Sequence, residues 1–539
     1  MRKKLVKYYR ILKNFKLNAP EEFSFPLDVF DRWDTNREAL IWTDGEELKK
    51  FTFRDLTVLS SKLAGGLKSI GISKSDKVLV ILPNRPEWWI TILALMRINA
   101  ISIPATTLLT AKDILYRLKA ADIKAVITDR ENSLKVEEAV NNYDREVLLI
   151  NLDRIPGWKS YDDLFNFDPF LGNRGKSFDP AFIFFTSGTT GLPKMVLHTQ
   201  ISYPFGHFIT GKFWLDLKPG DIHWNLSDTG WAKAAWSSFF GPWNMGATVF
   251  TYQRKGKFSP ATIVEALKKF KINTFCAPPT VYRMAVKEIP LEELKFKTVR
   301  HFVAAGEPLN SEVINIWKDA TGEYIYNGYG QTETVNTLAM FRFIPMKAGA
   351  TGLPAPGFHI DIVDDEGNPL PPNTEGNIAI KINPERPIGL FQEYIGDTLE
   401  MAAAFKGDWY YTRDRGYKDE DGYFWFVGRE DDVIISAGYR IGPFEVESAL
   451  IKHPAVKEAA VVASPDEIRG EIVKAFIVLT EEYSPSEELI REIQEFVKKE
   501  TAPYKYPRKI EFVDELPKTI SGKIKRKELK LKEFGKSPK

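Results

Sequence analysis

Nine consecutive residues, Thr186-Ser187-Gly188-Thr189-Thr190-Gly191-Leu192-Pro193-Lys194, bring together two glycines, four hydroxyl side chains and a lysine. Glycines let backbone N–H groups turn toward an anion, hydroxyls donate to phosphate oxygens and lysine offsets charge, so these types suit a polyphosphate. The spacing is not that of a Walker A loop, because leucine and proline separate the second glycine from the lysine. The continuous apolar run Ala181 to Phe185 before it is expected to be a strand buried on both faces of a parallel sheet. The loop would then hang from a strand end. A second lysine, Lys523, sits in a basic tail, and alone it reads as bulk charge. Alone, Glu333 reads as a solvated carboxylate, and Arg429 with Asp431 as a surface ion pair.

The elements that must position these groups follow a consistent pattern. Lys77 to Leu82, Ala125 to Thr128 and Val147 to Ile150 are short apolar strands, and Trp88 to Ile98 has helical length. Ser259-Pro260 opens a helix through Phe270, with serine as N-cap and proline in the first turn. Strands at Asn273 to Ala277 and Val299 to Gly306 continue the alternation, which argues for an α/β class. From about residue 345 to 430, Gly, Pro and Asp turns between short strands predict antiparallel β structure. Beyond Arg429 two helices (about Pro443 to Lys452 and Ser486 to Glu500) and three strands (Glu458 to Ala463, Val473 to Leu479 and Lys509 to Val513) predict a small α+β domain. The expected division is 1–430 and 431–539.

The chain has 539 residues, which implies at least two domains, and 74 basic against 72 acidic residues. That balance gives no reason to expect a nucleic-acid partner. A single cysteine, Cys276, excludes an internal disulfide, and six histidines make a zinc cluster an unattractive reading. No apolar run is long enough to span a bilayer or serve as a secretory signal, so a cytosolic location follows by elimination. The basic N-terminus is expected to be a solvated helical arm, and the tail from Lys523 onward mostly solvated charge apart from Lys523 itself.

The loop from Thr186 to Lys194 resembles the phosphate-binding loop of the adenylate-forming superfamily, which includes acyl-CoA synthetases, peptide-synthetase adenylation domains and beetle luciferases. Further blocks recur in order across nearly the whole chain. Ala305-Gly306-Glu307-Pro308 resembles the strand end that stacks on adenine. Tyr329-Gly330-Gln331-Thr332-Glu333 resembles the block in which Tyr packs on the base, Thr contacts the α-phosphate and Glu holds Mg²⁺. Tyr411-Thr412-Arg413-Asp414 resembles a Thr-Gly-Asp whose Asp binds the ribose hydroxyls. Gly428-Arg429-Glu430-Asp431-Asp432 resembles the domain junction, with Arg429 on the ribose and Asp431 as hinge. Pro517 to Lys523 resembles the C-terminal block ending in the catalytic lysine.

The resemblance implies a large domain of doubly wound sheets with a β-barrel-like subdomain, and a small mobile C-terminal lid. It implies ATP with Mg²⁺, a carboxylic acid and CoA as reactants, by way of an acyl-adenylate. Thr186, Lys194, Glu333 and Lys523 would be catalytic, and Ser187, Gly188, Thr189, Thr190 and Gly191 would complete the phosphate loop. The segment Gly438, Tyr439 and Arg440 would replace Lys523 at the site after domain rotation and admit CoA. Stretches such as Ser227-Asp228-Thr229-Gly230-Trp231 look most like medium-chain acyl-CoA synthetases. Acetate-activating relatives have tryptophan where Gly330 stands, so an open acyl pocket is expected there, with Trp231 and Trp236 as candidate walls. Arg413 departs from the family's glycine. If that position has positive φ, arginine adds strain. An aryl-CoA ligase of benzoate type, a non-CoA acceptor, a luciferase-type oxygenase and a non-catalytic acyl-nucleotide sensor are the competing readings.

Overall fold

The computed structural model describes residues 2–186, 193–253, 256, 258–430, 432–436, 439–466, 469–501, 504–518 and 523–535. An eight-stranded sheet runs in the spatial order Glu393–Tyr394, Lys194–Thr199, Pro180–Thr186, Ile101–Ala105, Lys77–Ile81, Ala125–Thr128, Leu148–Asn151, Lys159–Ser160. It is parallel from Pro180–Thr186 to Lys159–Ser160. At the other end Lys194–Thr199 folds back antiparallel on Pro180–Thr186. Strands such as Ala125–Thr128 are buried along their whole length, which is why their sequences are continuously apolar rather than alternating.

A nine-stranded sheet packs beside it, with a parallel centre made of Ile325–Tyr329, His301–Ala305, Thr274–Ala277, Ile222–Asn225, Thr248–Tyr252 and Glu38–Thr43. Covering helices start on clear local signals. Phe53–Ser69 and Ala111–Ala121 each open with a Thr/Asp capping box, at Thr52/Asp55 and Thr110/Asp113. Pro260–Lys269 follows Ser259 as expected, although the serine side chain makes no capping bond. The region after residue 345 is an antiparallel sheet in which the long strand Trp409–Lys418 pairs with Gly376–Lys381, Phe405–Lys406 and Phe424–Arg429.

The separate C-terminal domain is α+β. Its sheet joins Tyr439–Ile441, Ile434–Ser436, Gly470–Leu479, Val456–Asp466 and Lys509–Phe512, packed against Pro443–Ile451 and Glu487–Glu500. The fold is therefore the α/β plus α+β architecture read from the sequence. It faces the large domain through specific contacts: Lys287 Nζ donates to the carbonyls of Val456 and Lys457 at 2.6 and 2.9 Å.

Two sequence expectations are corrected. The N-terminal helix Arg2–Asn14 is docked rather than a solvated arm: Tyr8 is 1% exposed, donates to the Pro354 carbonyl at 3.0 Å and stacks near Phe341. The basic tail is ordered as the helix Arg526–Glu533, because its charges have partners. Arg526 pairs with buried Glu447 at 2.6 Å, and Glu533 pairs with Lys474 at 2.6 Å. Charge counting missed both because a single aromatic or apolar residue (Tyr8 or Leu529) anchors each helix. Tyr8→Ala is predicted to destabilise the large domain by about 3–5 kcal/mol and Tyr8→Phe by about 1 kcal/mol, read from urea unfolding midpoints. Unchanged midpoints in both variants would show that the helix is not anchored there.

Candidate active site

The two ends of the glycine-rich loop sit opposite each other, since Thr186 pairs with Lys194 in the antiparallel register. Ser187, Gly188, Thr189, Thr190 and Gly191 lie outside the described residues. Thr186 and Lys194 open onto a cavity of about 260 Å³ shared with Gly306, Glu307, Pro308, Tyr329, Gly330, Gln331, Thr332, Glu333, Asp414, Arg429 and Lys523. Residues scattered over more than three hundred positions thus converge on one cleft. The convergence follows from topology: Gly306 and Tyr329 lie at the carboxyl ends of adjacent parallel strands, where open α/β sheets bind ligands.

Asp414 organises the far wall. It is 4% exposed, and its Oδ2 accepts from Tyr329 Oη at 2.6 Å and Gln331 Nε2 at 2.7 Å. Its Oδ1 faces Arg429 Nε at 3.5 Å, a longer contact made possible because Asp414 and Arg429 are paired across adjacent strands. Gln331 is held in turn by the Thr412 carbonyl at 2.7 Å and by Tyr410 Oη at 3.0 Å. The Asp414 carboxylate holds the Arg429 pKa above the ordinary guanidinium range, against the opposing effect of burial.

Glu333 is not a solvated carboxylate. It accepts from Tyr394 Oη at 2.7 Å, and burial raises its pKa. Among the described residues no three His, Cys, Asp or Glu side chains cluster as a metal cage. A single hard carboxylate beside a polyphosphate loop nevertheless fits Mg²⁺, which takes one or two carboxylates and completes its shell with phosphates and water. Beneath the block, the Thr332 carbonyl accepts from His198 Nε2 at 2.7 Å and Tyr203 Oη at 3.2 Å. Burial pushes the His198 pKa down to about 3, so this ring is a neutral donor that fixes the backbone.

Lys523 reaches the cavity from the C-terminal domain. A side chain built on Gly306 would meet Lys523 Cε at 3.8 Å, which puts the lysine stem over that strand end. The side chain is still reached by solvent, yet enough protein surrounds its ammonium that desolvation lowers its pKa. Glu307, Asp414 and Glu333 oppose that shift and Arg429 adds to it. Asp431, expected as the hinge, and Gly438, expected in the CoA segment, lie outside the described residues. Tyr439 and Arg440 are described as backbone of the strand Tyr439–Ile441.

The expected acyl floor is different from the sequence reading. Gly330 lines the cavity, but a Cβ there would lie 2.4 Å from the Trp236 ring and 2.3 Å from the Val335 carbonyl oxygen. Trp236 already fills the space opposite this glycine, and its Nε1 donates to Tyr203 Oη at 2.7 Å. Neither Trp231 nor Trp236 is among the described residues lining the cavity. The segment carrying Trp236 is the π-helical turn Trp236–Phe240, one of three such turns among the described residues, with Ile201–Phe205 and Thr210–Trp214. Their i→i+5 bonding leaves no simple sequence period, so they were not anticipated. Also missed were the cavity residues Tyr394, Tyr410 and Glu400, which sit in ordinary-looking stretches with no motif of their own. Arg413 does have positive φ, +60°, so the anticipated strain is present, about 1–2 kcal/mol for an L-residue.

The AMP-binding enzyme family model matches residues 29–394, and the AMP-binding enzyme C-terminal domain matches residues 445–523. Acyl-coenzyme A synthetase ACSM3, mitochondrial, of Mus musculus is 48% identical over 98% of this chain and 93% of that protein. The Brucella canis acyl-CoA synthetase structure is 33% identical with a TM-score of 0.73, covering 99% of both chains. An anthranilate CoA ligase in complex with anthranoyl-AMP is 29% identical with a TM-score of 0.86, covering 95% of this chain and 97% of that one. The cytosolic expectation does not stand, because the curated relatives that match almost end to end are named mitochondrial. A mitochondrial address does not require a long apolar run, so the elimination used on the sequence does not bear on that destination. Matched across both of its domains and nearly end to end, the chain belongs to the AMP-binding enzyme family, among the acyl-coenzyme A synthetases.

Proposed function

We propose that this acyl-coenzyme A synthetase joins a carboxylic acid longer than acetate to CoA in two half-reactions through one cleft. ATP and the acid give acyl-AMP and pyrophosphate, and the CoA thiol then displaces AMP. The observation that carries the reading is the convergence of Lys523 with Thr186, Lys194, Glu333, Asp414 and Arg429 around one cavity. Adenylation must bring a carboxylate anion to a triphosphate anion, so positioning and charge stabilisation dominate the barrier. Thr186 and Lys194 steady the β- and γ-phosphates. Mg²⁺ at Glu333, with ATP bound, would neutralise phosphate charge. Asp414 offers its less engaged Oδ1 to the ribose, with Arg429 beside it, while Tyr329 and the Gly306-Glu307-Pro308 turn flank the base. Lys523 bridges the acid and the α-phosphate. Thioester formation needs that approach cleared, and rotation about Asp431 to present Gly438, Tyr439 and Arg440 remains part of this reading. Lys523 lining the cavity supports the view that the described arrangement is the adenylating one.

The expected substrates are medium-chain, branched or similar acids, on the likeness of stretches such as Ser227 to Trp231, and relatives named acyl-coenzyme A synthetases support an acyl acid in general. An aryl acid is the second reading, favoured by the likeness to a ligase bound to anthranoyl-AMP. CoA-thioester formation across C2 to C10, branched and aromatic acids separates them: a maximum at medium-chain acids supports the first, a maximum at benzoate or anthranilate the second, and a maximum at acetate contradicts both.

Lys523→Ala is predicted to abolish acyl-AMP formation while sparing thioester formation from synthetic acyl-AMP, and equal loss of both would remove Lys523 from its role. The pH dependence follows from the direction of the shift. A lysine whose pKa is lowered loses its proton as pH rises sooner than an ordinary one, so kcat/KM of adenylation falls on the alkaline side at a pH below the free-lysine range. Burial sets that fall, Arg429 pushes it lower still, and Glu307, Asp414 and Glu333 hold it up. An alkaline limb equally present in the Lys523→Arg variant would assign it elsewhere.

Because Trp236 backs Gly330, a tryptophan at 330 has no free volume to enter. Gly330→Ala alone is predicted to cost about 1–3 kcal/mol through overpacking against Trp236 and Val335. A thermal midpoint within error of the parent would show that the wall yields.

A further inference from the structure

Arg413 and Glu400 stand outside every role assigned so far, and both line the cavity. Lys194 Nζ lies 2.5 Å from Glu400 Oε1, and Arg413 Nη2 lies 2.8 Å from the same oxygen. All three side chains are largely withdrawn from solvent, at 10%, 12% and 25% exposure for Lys194, Glu400 and Arg413. The carboxylate is held in place from behind: Glu400 is in the first turn of the helix Thr398–Ala404, and its backbone N–H donates to the capping Asp397 at 2.9 Å. Arg413 reaches it from a left-handed backbone position, an arrangement that an arginine adopts at a cost and a glycine would adopt without one.

Two cations converging on a single oxygen describe an oxyanion position. With Lys194, Arg413 and Glu400 all ionised, the cluster carries a net single positive charge at the end of the phosphate loop. A phosphoryl oxygen placed where Oε1 now stands would take both charge-assisted bonds without moving either cation. Arginine suits that role because its planar, permanently charged fork matches phosphate. Resting on the proposed ATP chemistry, we infer that Arg413 is a second cationic ligand for the β,γ-phosphates and for departing pyrophosphate. Glu400 is a positioning residue whose carboxylate holds Lys194 and Arg413 at the spacing of one oxyanion until phosphate displaces it. A strained arginine beside Asp414 then has a role that offsets its cost. Its side chain contributes to the phosphate end of the site, while its neighbour faces the nucleotide end.

Calorimetric binding of ATP, inorganic pyrophosphate and AMP to the full-length protein, without acid or CoA, tests this. Arg413→Gly relieves backbone strain and so keeps the fold. It is expected to weaken ATP and pyrophosphate about tenfold while leaving AMP within about twofold. Glu400→Gln removes the competing charge but keeps an acceptor, and is expected to tighten pyrophosphate severalfold with AMP unchanged. Unchanged pyrophosphate binding in Arg413→Gly overturns the inference. So does weakening of AMP and pyrophosphate together in either variant, which would mark a structural role. If Arg413→Gly behaves as expected but no thioester forms with any acid, the phosphate site stands and the acyl-CoA reading falls. Failure of the parent protein to bind ATP or AMP overturns both.

Discussion

A buried carboxylate that must be satisfied holds this site together. Asp414 lies almost out of solvent, and an ionised carboxyl there is tolerated only because Tyr329, Gln331 and Arg429 all turn toward it. Those partners come from two distant parts of the chain. Tyr329 ends a parallel strand of the nine-stranded sheet, Gln331 belongs to the turn after it, and Arg429 ends a strand of the antiparallel sheet. Satisfying one charge therefore fixes the angle between two sheets and sets the wall of the cleft. Breaking one partner of such a cluster leaves uncompensated charge, so the wall has little freedom to drift.

The opposite wall is built by a different device. The strand Pro180–Thr186 and its return strand Lys194–Thr199 present the loop ends side by side, and the C-terminal domain brings Lys523 over Gly306. The site is divided between units that contact each other through bonds such as those of Lys287. A division of this kind suits a reaction in two steps. In the proposed reaction the large domain would keep the nucleotide while Lys523 is carried on the other unit.

Motifs were legible in the sequence wherever a short run of residues had to meet a ligand with its own backbone. The strand before the loop, the helix after Ser259-Pro260 and the elements of the C-terminal domain were readable for a related reason: apolar runs and caps are local signals. What escaped was set by tertiary contact. Tyr394 and Glu400 acquire their meaning only when the strand end at 393–394 and the helix after it fold against the loop lysine. Gly330 was legible as a missing side chain, yet the neighbour that fills its space, Trp236, lies on a π-helical turn with no sequence period. The docked helix at residues 2–14 turned on one tyrosine among many charges. Arg413 was visible as a departure, and the structure supplies its counter-ion.

In the proposed reaction this cleft makes an acyl-adenylate before any thiol is involved. Acid-dependent exchange of labelled pyrophosphate into ATP, measured with no CoA present, tests it most directly. Exchange is expected to require both the carboxylic acid and Mg²⁺ and to proceed at full rate without CoA. Exchange that appears only when CoA is added, or that proceeds without any acid, would contradict it.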